Sequence, residues 1–123
     1  TVFEADLLVT DWSGIAYEYA FTTNKPVLFV DTPMKVMNPE YQKIDTVPIN
    51  IWMRDVIGDR LNPAKTEETE SKVRNLLAQK DAYHDRIEKF VEEYVYNLGN
   101  SAEVGAKYIV QAVQEQIKKA KEQ

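Results

Sequence analysis

Two short, uninterrupted apolar runs constrain this chain more than anything else in it. The first is Leu7-Leu8-Val9, bounded by Asp6 and by Thr10-Asp11. The second is Val27-Leu28-Phe29-Val30, opened by Pro26 and closed by Asp31-Thr32-Pro33. A strand with one wet face alternates polar and apolar residues, whereas continuous runs of this length suit strands covered on both faces of a parallel sheet. Between them, Ile15, Ala16, Tyr19 and Ala20 recur at helical spacing from about Ser13 to Thr22. Strand, helix and strand in so few residues predict a βαβ core over residues 5–31 and place the chain in the α/β class.

The next segment, residues 31–65, is punctuated by Pro33, Pro39, Pro48 and Pro63 and holds no sustained period. It reads as an irregular loop region with a short strand or helix near Ile49–Ile57. From residue 66 to 121 the pattern is helical. Val73, Leu76, Leu77, Tyr83, Ile87, Phe90, Val91 and Tyr94 form one apolar face, with a break expected near Asp81. Asn100 reads as an N-cap with Glu103 at capping-box spacing. Val104, Tyr108, Ile109, Ala112, Val113 and Ile117 mark the stripe of a last helix, whose closing turns carry Lys118, Lys119 and Lys121 where the dipole favours cations. Two or three strands beside so many helices amount to a Rossmann-like half-domain. The start at Thr1, with an apolar run almost at once, reads as a piece of a longer chain.

Composition removes several kinds of function. Without cysteine there is no disulfide, thiolate metal site or cysteine nucleophile, and one histidine, His84, cannot build a histidine metal centre. No cofactor motif is present. The net charge is -5, and residues 1–60 hold nine Asp or Glu against five Lys or Arg. No basic stripe exists to grip a phosphate backbone, so nucleic acid is not an expected partner. No apolar stretch reaches the roughly 18 to 20 residues that cross a bilayer.

Chemistry concentrates where the first strand meets the first helix. In open α/β sheets, ligands sit beyond the carboxyl ends of strands, and Thr10-Asp11-Trp12-Ser13-Gly14 lies at that place. A helix start offers unpaired N–H groups and a positive dipole end; Thr10 and Ser13 add hydroxyls, and Gly14 permits close approach to the backbone. Such a turn can hold a diphosphate without Lys or Arg. It reads equally as ordinary capping, with Asp11 or Ser13 as the cap and Gly14 easing the bend. Glu18, one helical turn on, either reaches a ligand hydroxyl or lies in solvent. Asp31-Thr32 after the second run is a further contact or turn chemistry. Arg54 and Asp55 read as a surface ion pair or a loop near the ligand, and Trp12 and Trp52 as stacking or packing residues. His84, remote in sequence, reads as a helix-surface histidine.

This stretch resembles the signature of the CDP-glycerol glycerophosphotransferase family. Its members carry an apolar strand, Thr/Ser-Asp-Tyr-Ser-Ser, a helix with Phe-Asp, and Lys/Arg-Pro before a second apolar strand. The matching residues here are Leu7-Leu8-Val9, Thr10-Asp11-Trp12-Ser13-Gly14, Tyr17-Glu18 and Lys25-Pro26-Val27-Leu28-Phe29. A weaker likeness runs through Arg54-Asp55-Val56-Ile57-Gly58 and Gly99-Asn100-Ser101-Ala102. The resemblance implies that residues 1–123 are the C-terminal, donor-nucleotide-binding part of a GT-B-type transferase. It implies CDP-glycerol or a related nucleotide as donor, a lipid-linked wall teichoic acid or related polymer as acceptor, and work at the cytoplasmic inner face of the cell membrane.

On the same resemblance Thr10, Asp11, Ser13, Gly14 and Glu18 are the donor-binding residues. Ser13 matches the first family serine; Gly14 stands in place of the second, and Glu18 in place of the aspartate. The donor's identity turns on those two positions. The family's histidines lie upstream of the motif, so this chain has no catalytic residue of its own and is expected to be inactive alone. Two rival readings remain: a nucleotide-sugar GT-B glycosyltransferase or epimerase fragment, and a non-catalytic α/β interaction module.

Overall fold

Parallel strands cannot be joined by a tight turn, so each pair needs a crossover, usually a helix. The computed structural model describes every residue except Lys35, Met37 and Gln123. In it, Leu8–Thr10 forms β1, Ile15–Thr23 forms α1 and Val27–Val30 forms β2. β1 and β2 run parallel, with Leu8 opposite Val27 and Thr10 opposite Phe29. Residues 31–65 then supply two one-turn helices, α2 (Ile49–Trp52) and α3 (Arg54–Ile57), and a third strand, β3 (Gly58–Leu61). β3 pairs parallel with β2, Gly58 opposite Val27 and Leu61 opposite Val30, which gives the order β1-β2-β3. The chain is an α/β Rossmann-like half-domain.

The two apolar runs play different parts. β2 is central, and Val27, Leu28 and Phe29 are buried on both faces. β1 is an edge strand among the described residues, and Val9 is 49% exposed although it sits mid-strand. A continuous apolar run therefore predicts burial on both faces for the second strand and overstates it for the first.

Local chemistry fixes the ends of α1. Asn24 closes the helix in the left-handed region at φ 53°, its amide donating to the Ala20 carbonyl. Asparagine tolerates that conformation better than other residues with a Cβ. Lys25-Pro26 then returns the chain to the amino end of β2. Lys25 Nζ and the Tyr19 hydroxyl both donate to the Ala5 carbonyl, at 2.7 and 2.8 Å, tying the approach to β1 against α1. The lysine of the Lys-Pro pair is thus a structural tie at the end of the sheet opposite the Thr10–Gly14 turn.

Two further helices complete the core. α4 (Thr69–Ala78) buries Leu76, and α5 (Lys80–Tyr94) buries Tyr83, Ile87 and Phe90. The break between them falls at Gln79, beside the expected Asp81. Phe90 stacks with Phe21 of α1 at 5.8 Å between centroids and meets Trp52 edge-on at 5.6 Å. At the start of β3, Gly58 lies so close to β2 that a Cβ would stand 1.8 Å from the Val27 carbonyl oxygen. Only glycine permits that register.

The chain divides into two units, Thr1–Val91 and Glu92–Gln123. The second holds α6 (Ser101–Lys121), preceded by Gly99 at φ 84°. Asn100 occupies the N-cap position, but its side chain makes no cap hydrogen bond, so the expected capping box does not form. Glu103 is drawn instead to Lys107, one turn ahead, at 2.6 Å. That Glu-to-Lys order, four residues apart, is the favourable one on a helix.

Candidate functional site: the turn after the first strand

Thr10 ends β1 and is half-buried, pairing across to Phe29. Beyond it the backbone leaves the sheet, and Asp11 Oδ1 accepts the Ser13 amide at 3.1 Å. Aspartate commonly closes a turn by accepting an amide two residues on. The Ser13 carbonyl then takes the Ala16 amide, and Gly14 becomes the N-cap of α1. Neither Asp11 nor Ser13 occupies the cap position, so the capping reading of these two side chains is replaced by an Asx turn and a glycine cap. The Ser13 side chain is exposed, and the amides of Gly14 and Ile15 stand outside the turn's own hydrogen bonds. The Ser13 hydroxyl, these amides and the positive end of α1 belong to consecutive residues of one turn, and a helix start of this kind can receive an anion.

Gly14 does not owe its place to backbone geometry. Its φ and ψ of -61° and -22° suit any residue, and a Cβ there would meet nothing within 4 Å. The turn could carry a serine at this position without rearrangement. Glu18, in the first turn of α1, is exposed, and its amide closes back on Gly14.

Behind the turn the structure adds what the sequence did not disclose. Arg54 of α3 is 1% exposed, and it is the one charged side chain in the core among the described residues. Its guanidinium lies 3.8 Å from the centroid of the Trp12 ring and 4.7 Å from that of Phe29. Nη2 sits 2.8 Å from Asp31 Oδ1, within ion-pair reach but not aligned as a hydrogen bond, and Nε has no hydrogen-bond partner. The Trp12 indole N–H donates to the Thr32 carbonyl at 2.7 Å. Arg54 is therefore no surface residue. Its carboxylate is Asp31, while Asp55 pairs with Arg60 at 2.8 Å. Hydropathy patterning could not find this, because an arginine scores as surface wherever it stands. The pairing also joins two residues 23 positions apart in the sequence.

A cavity of about 410 Å³ opens beside Trp12, lined also by Asn38, Tyr41, Pro48, Asn50 and Ile51. The Tyr17 hydroxyl donates to the Asn50 carbonyl at 3.2 Å, joining α1 to α2. Burial raises the Tyr17 pKa, and the nearby Arg54 charge works against that rise. The phenol stays protonated and keeps donating.

The other candidates fall elsewhere. His84 lies on α5 with Nε2 3.5 Å from the Asn24 amide nitrogen, at the closing end of α1. That is a nine-residue helix away from Ser13, about 13 Å at 1.5 Å per residue. Trp52 packs on Phe90 in the core. Among the described residues no group of three or more His, Cys, Asp or Glu could hold a metal ion, and no helix is long and apolar enough to cross a membrane.

A parallel sheet whose first strand ends in a hydroxyl-bearing turn at a helix N-terminus is the architecture of nucleotide-binding Rossmann-like half-domains. The family model for CDP-Glycerol:Poly(glycerophosphate) glycerophosphotransferase matches residues 1–114, and the chain belongs to that family. Comparison with curated proteins and with solved structures found no match. Family membership assigns the chain to a transferase of the glycerophosphotransferase type.

Proposed function

We propose that this chain is the donor-binding part of an enzyme that moves glycerol phosphate from CDP-glycerol to a hydroxyl of a lipid-linked wall polymer, such as wall teichoic acid. The observation that carries this reading is the exposed Ser13 hydroxyl beside the free amides at the start of α1, within a chain of this family. In the proposed reaction the acceptor oxygen attacks the phosphorus that bears glycerol. A new phosphodiester forms, the anhydride bond to CMP breaks, and the hydroxyl proton passes to a base. Charge gathers on the phosphate oxygens, and preorganised N–H and O–H donors stabilise such charge.

Thr10, Asp11, Ser13, Gly14 and Glu18 are the proposed donor contacts. The amides of Gly14 and Ile15 and the Ser13 hydroxyl take phosphate oxygens, and Asp11 holds the turn in shape. Among the described residues that line it, the cavity beside Trp12 has no charged side chain, which suits an uncharged part of the donor. The base is proposed to lie in another part of a GT-B-type enzyme, so this chain alone binds and does not turn over. Such an enzyme would work as a peripheral protein on the inner face of the cell membrane, where lipid-linked acceptors are held.

Titration of the isotopically labelled chain with CDP-glycerol, CDP, UDP and inorganic phosphate, followed by amide shifts, tests the reading. Saturable shifts across Thr10–Glu18, with cytidine ligands preferred, are expected. Preference for UDP would replace CDP-glycerol by a nucleotide-sugar donor. Shifts in none of the four titrations would remove the donor site.

A further inference from the structure

Arg54 is costly where it stands. Taking a guanidinium out of water carries a penalty that one carboxylate only partly offsets, and an apolar side chain of like volume often serves a core as well or better. Here the offset is weakened further, because the Asp31 contact is not an aligned hydrogen bond and Nε is left without a partner. Packing alone does not account for an arginine at this point. What the arginine does, and a methionine would not, is lay a flat cation on the electron-rich face of an indole.

The indole in question belongs to the turn. Trp12 stands between Asp11, which closes the Asx turn, and Ser13, whose amide that turn captures. With Arg54 on its ring and its N–H on the Thr32 carbonyl, Trp12 is held at two points. Both holding groups come from beyond β2: Thr32 directly, and Arg54 through its pairing with Asp31. The backbone of the donor turn itself has only short, local hydrogen bonds to keep its shape.

We propose that Arg54 is a positioning residue for the donor turn, acting through Trp12 to fix Asp11–Gly14 in the conformation that receives phosphate. In its ligand-binding part this rests on the donor reading above; in its structural part it does not. Lysine at position 54 keeps the charge near Asp31 but cannot stack as a planar fork, so Arg54→Lys is the informative variant.

Two measurements on the 123-residue chain test it. The first needs no ligand: hydrogen exchange at the Trp12 indole and at the Ser13 amide, each held by a hydrogen bond, is expected to accelerate about tenfold in Arg54→Lys, the size of one lost stacking contact. The β2 amides should change far less. Equal acceleration in β2, or global unfolding, would make Arg54 a core residue only and overturn the proposal. An unchanged turn would overturn it too.

The second is a double-mutant cycle in CDP affinity between Arg54→Lys and Trp12→Ala. Action through Trp12 predicts that Arg54→Lys weakens CDP binding about tenfold in the parent and hardly at all once Trp12 is gone, because contacts that work together are not additive. Additive losses would overturn the route through Trp12. If the parent chain binds no CDP, the donor reading fails, and the exchange experiment alone decides whether Arg54 positions the turn.

Discussion

Two connections leave the same end of the sheet, and they are built in opposite ways. The one after β1 is four residues long, largely exposed, and its backbone is shaped by neighbours in sequence: Asp11 to Ser13, Ser13 to Ala16, Gly14 to Tyr17. The one after β2 wanders from Asp31 to Ile57 and is anchored by contacts between distant residues: Arg54 with Asp31, Trp12 and Phe29, and Asn50 with Tyr17. On the donor reading, the first holds the groups that meet a ligand. The second holds the groups that keep the first in place. A short turn exposes its donors because its backbone satisfies itself locally; a long one is ordered only by what it buries.

The contrast can be broken most severely at Gly58, where the second connection re-enters the sheet. Gly58→Ala drives a methyl into the Val27 carbonyl, and a loss of about 3 kcal/mol or more is expected, read as a lower midpoint in urea denaturation. A smaller loss would mean that β3 can shift away from β2 without cost.

The Asp31–Arg54 pair should answer unequally from its two sides. Asp31→Asn leaves a buried guanidinium without its counter-charge, which costs about 3 kcal/mol. Arg54→Met removes the buried charge itself and lets the partly exposed Asp31 rehydrate, so about 1 kcal/mol is expected. Thermal denaturation of both variants gives the comparison, and equal losses would mean that the pair is valued for packing on both sides.

Changes in the first connection should barely touch stability. Ser13→Ala should alter it by less than about 0.5 kcal/mol, since Gly14 and not Ser13 is the cap. On the donor reading it should still erase much of the CDP-induced shift at the Gly14 and Ile15 amides. Gly14→Ser should be smallest in stability, a gain of a few tenths of a kcal/mol, because serine loses less backbone freedom on folding than glycine at these ordinary angles and the site has room for it. Isothermal titration of Gly14→Ser with CDP and UDP is expected to show tighter CDP binding, and unchanged affinity would deny position 14 a part in donor contact.

Much of the first connection was legible in advance. Apolar runs gave β1, β2 and the helix between them, and the place of Thr10–Gly14 followed from where a strand ends and a helix starts. The detail that failed was the assignment of the cap, because Asp11 and Ser13 are both good caps in isolation and only the backbone path selects Gly14. Much less of the second connection could be read. β3 has the sequence Gly-Asp-Arg-Leu, with polar residues at its two middle positions. Asp59 meets Lys72 at 2.9 Å, and Arg60 meets Asp55. Those partners make polar strand residues acceptable, and no local pattern announces them.

By itself, then, the sequence determined the class of fold, the family and the location of the turn, because each depends on residues close together in the chain. Periodicity, helix starts and a contiguous motif are all local signals. Only the tertiary structure decided that Arg54 enters the core, that Trp12 is gripped from beyond β2, and that Gly58 is pressed against Val27. Those outcomes depend on which distant groups come within a few ångströms, where a cation finds an indole and a carboxylate, and a missing Cβ becomes the condition for two strands to pair.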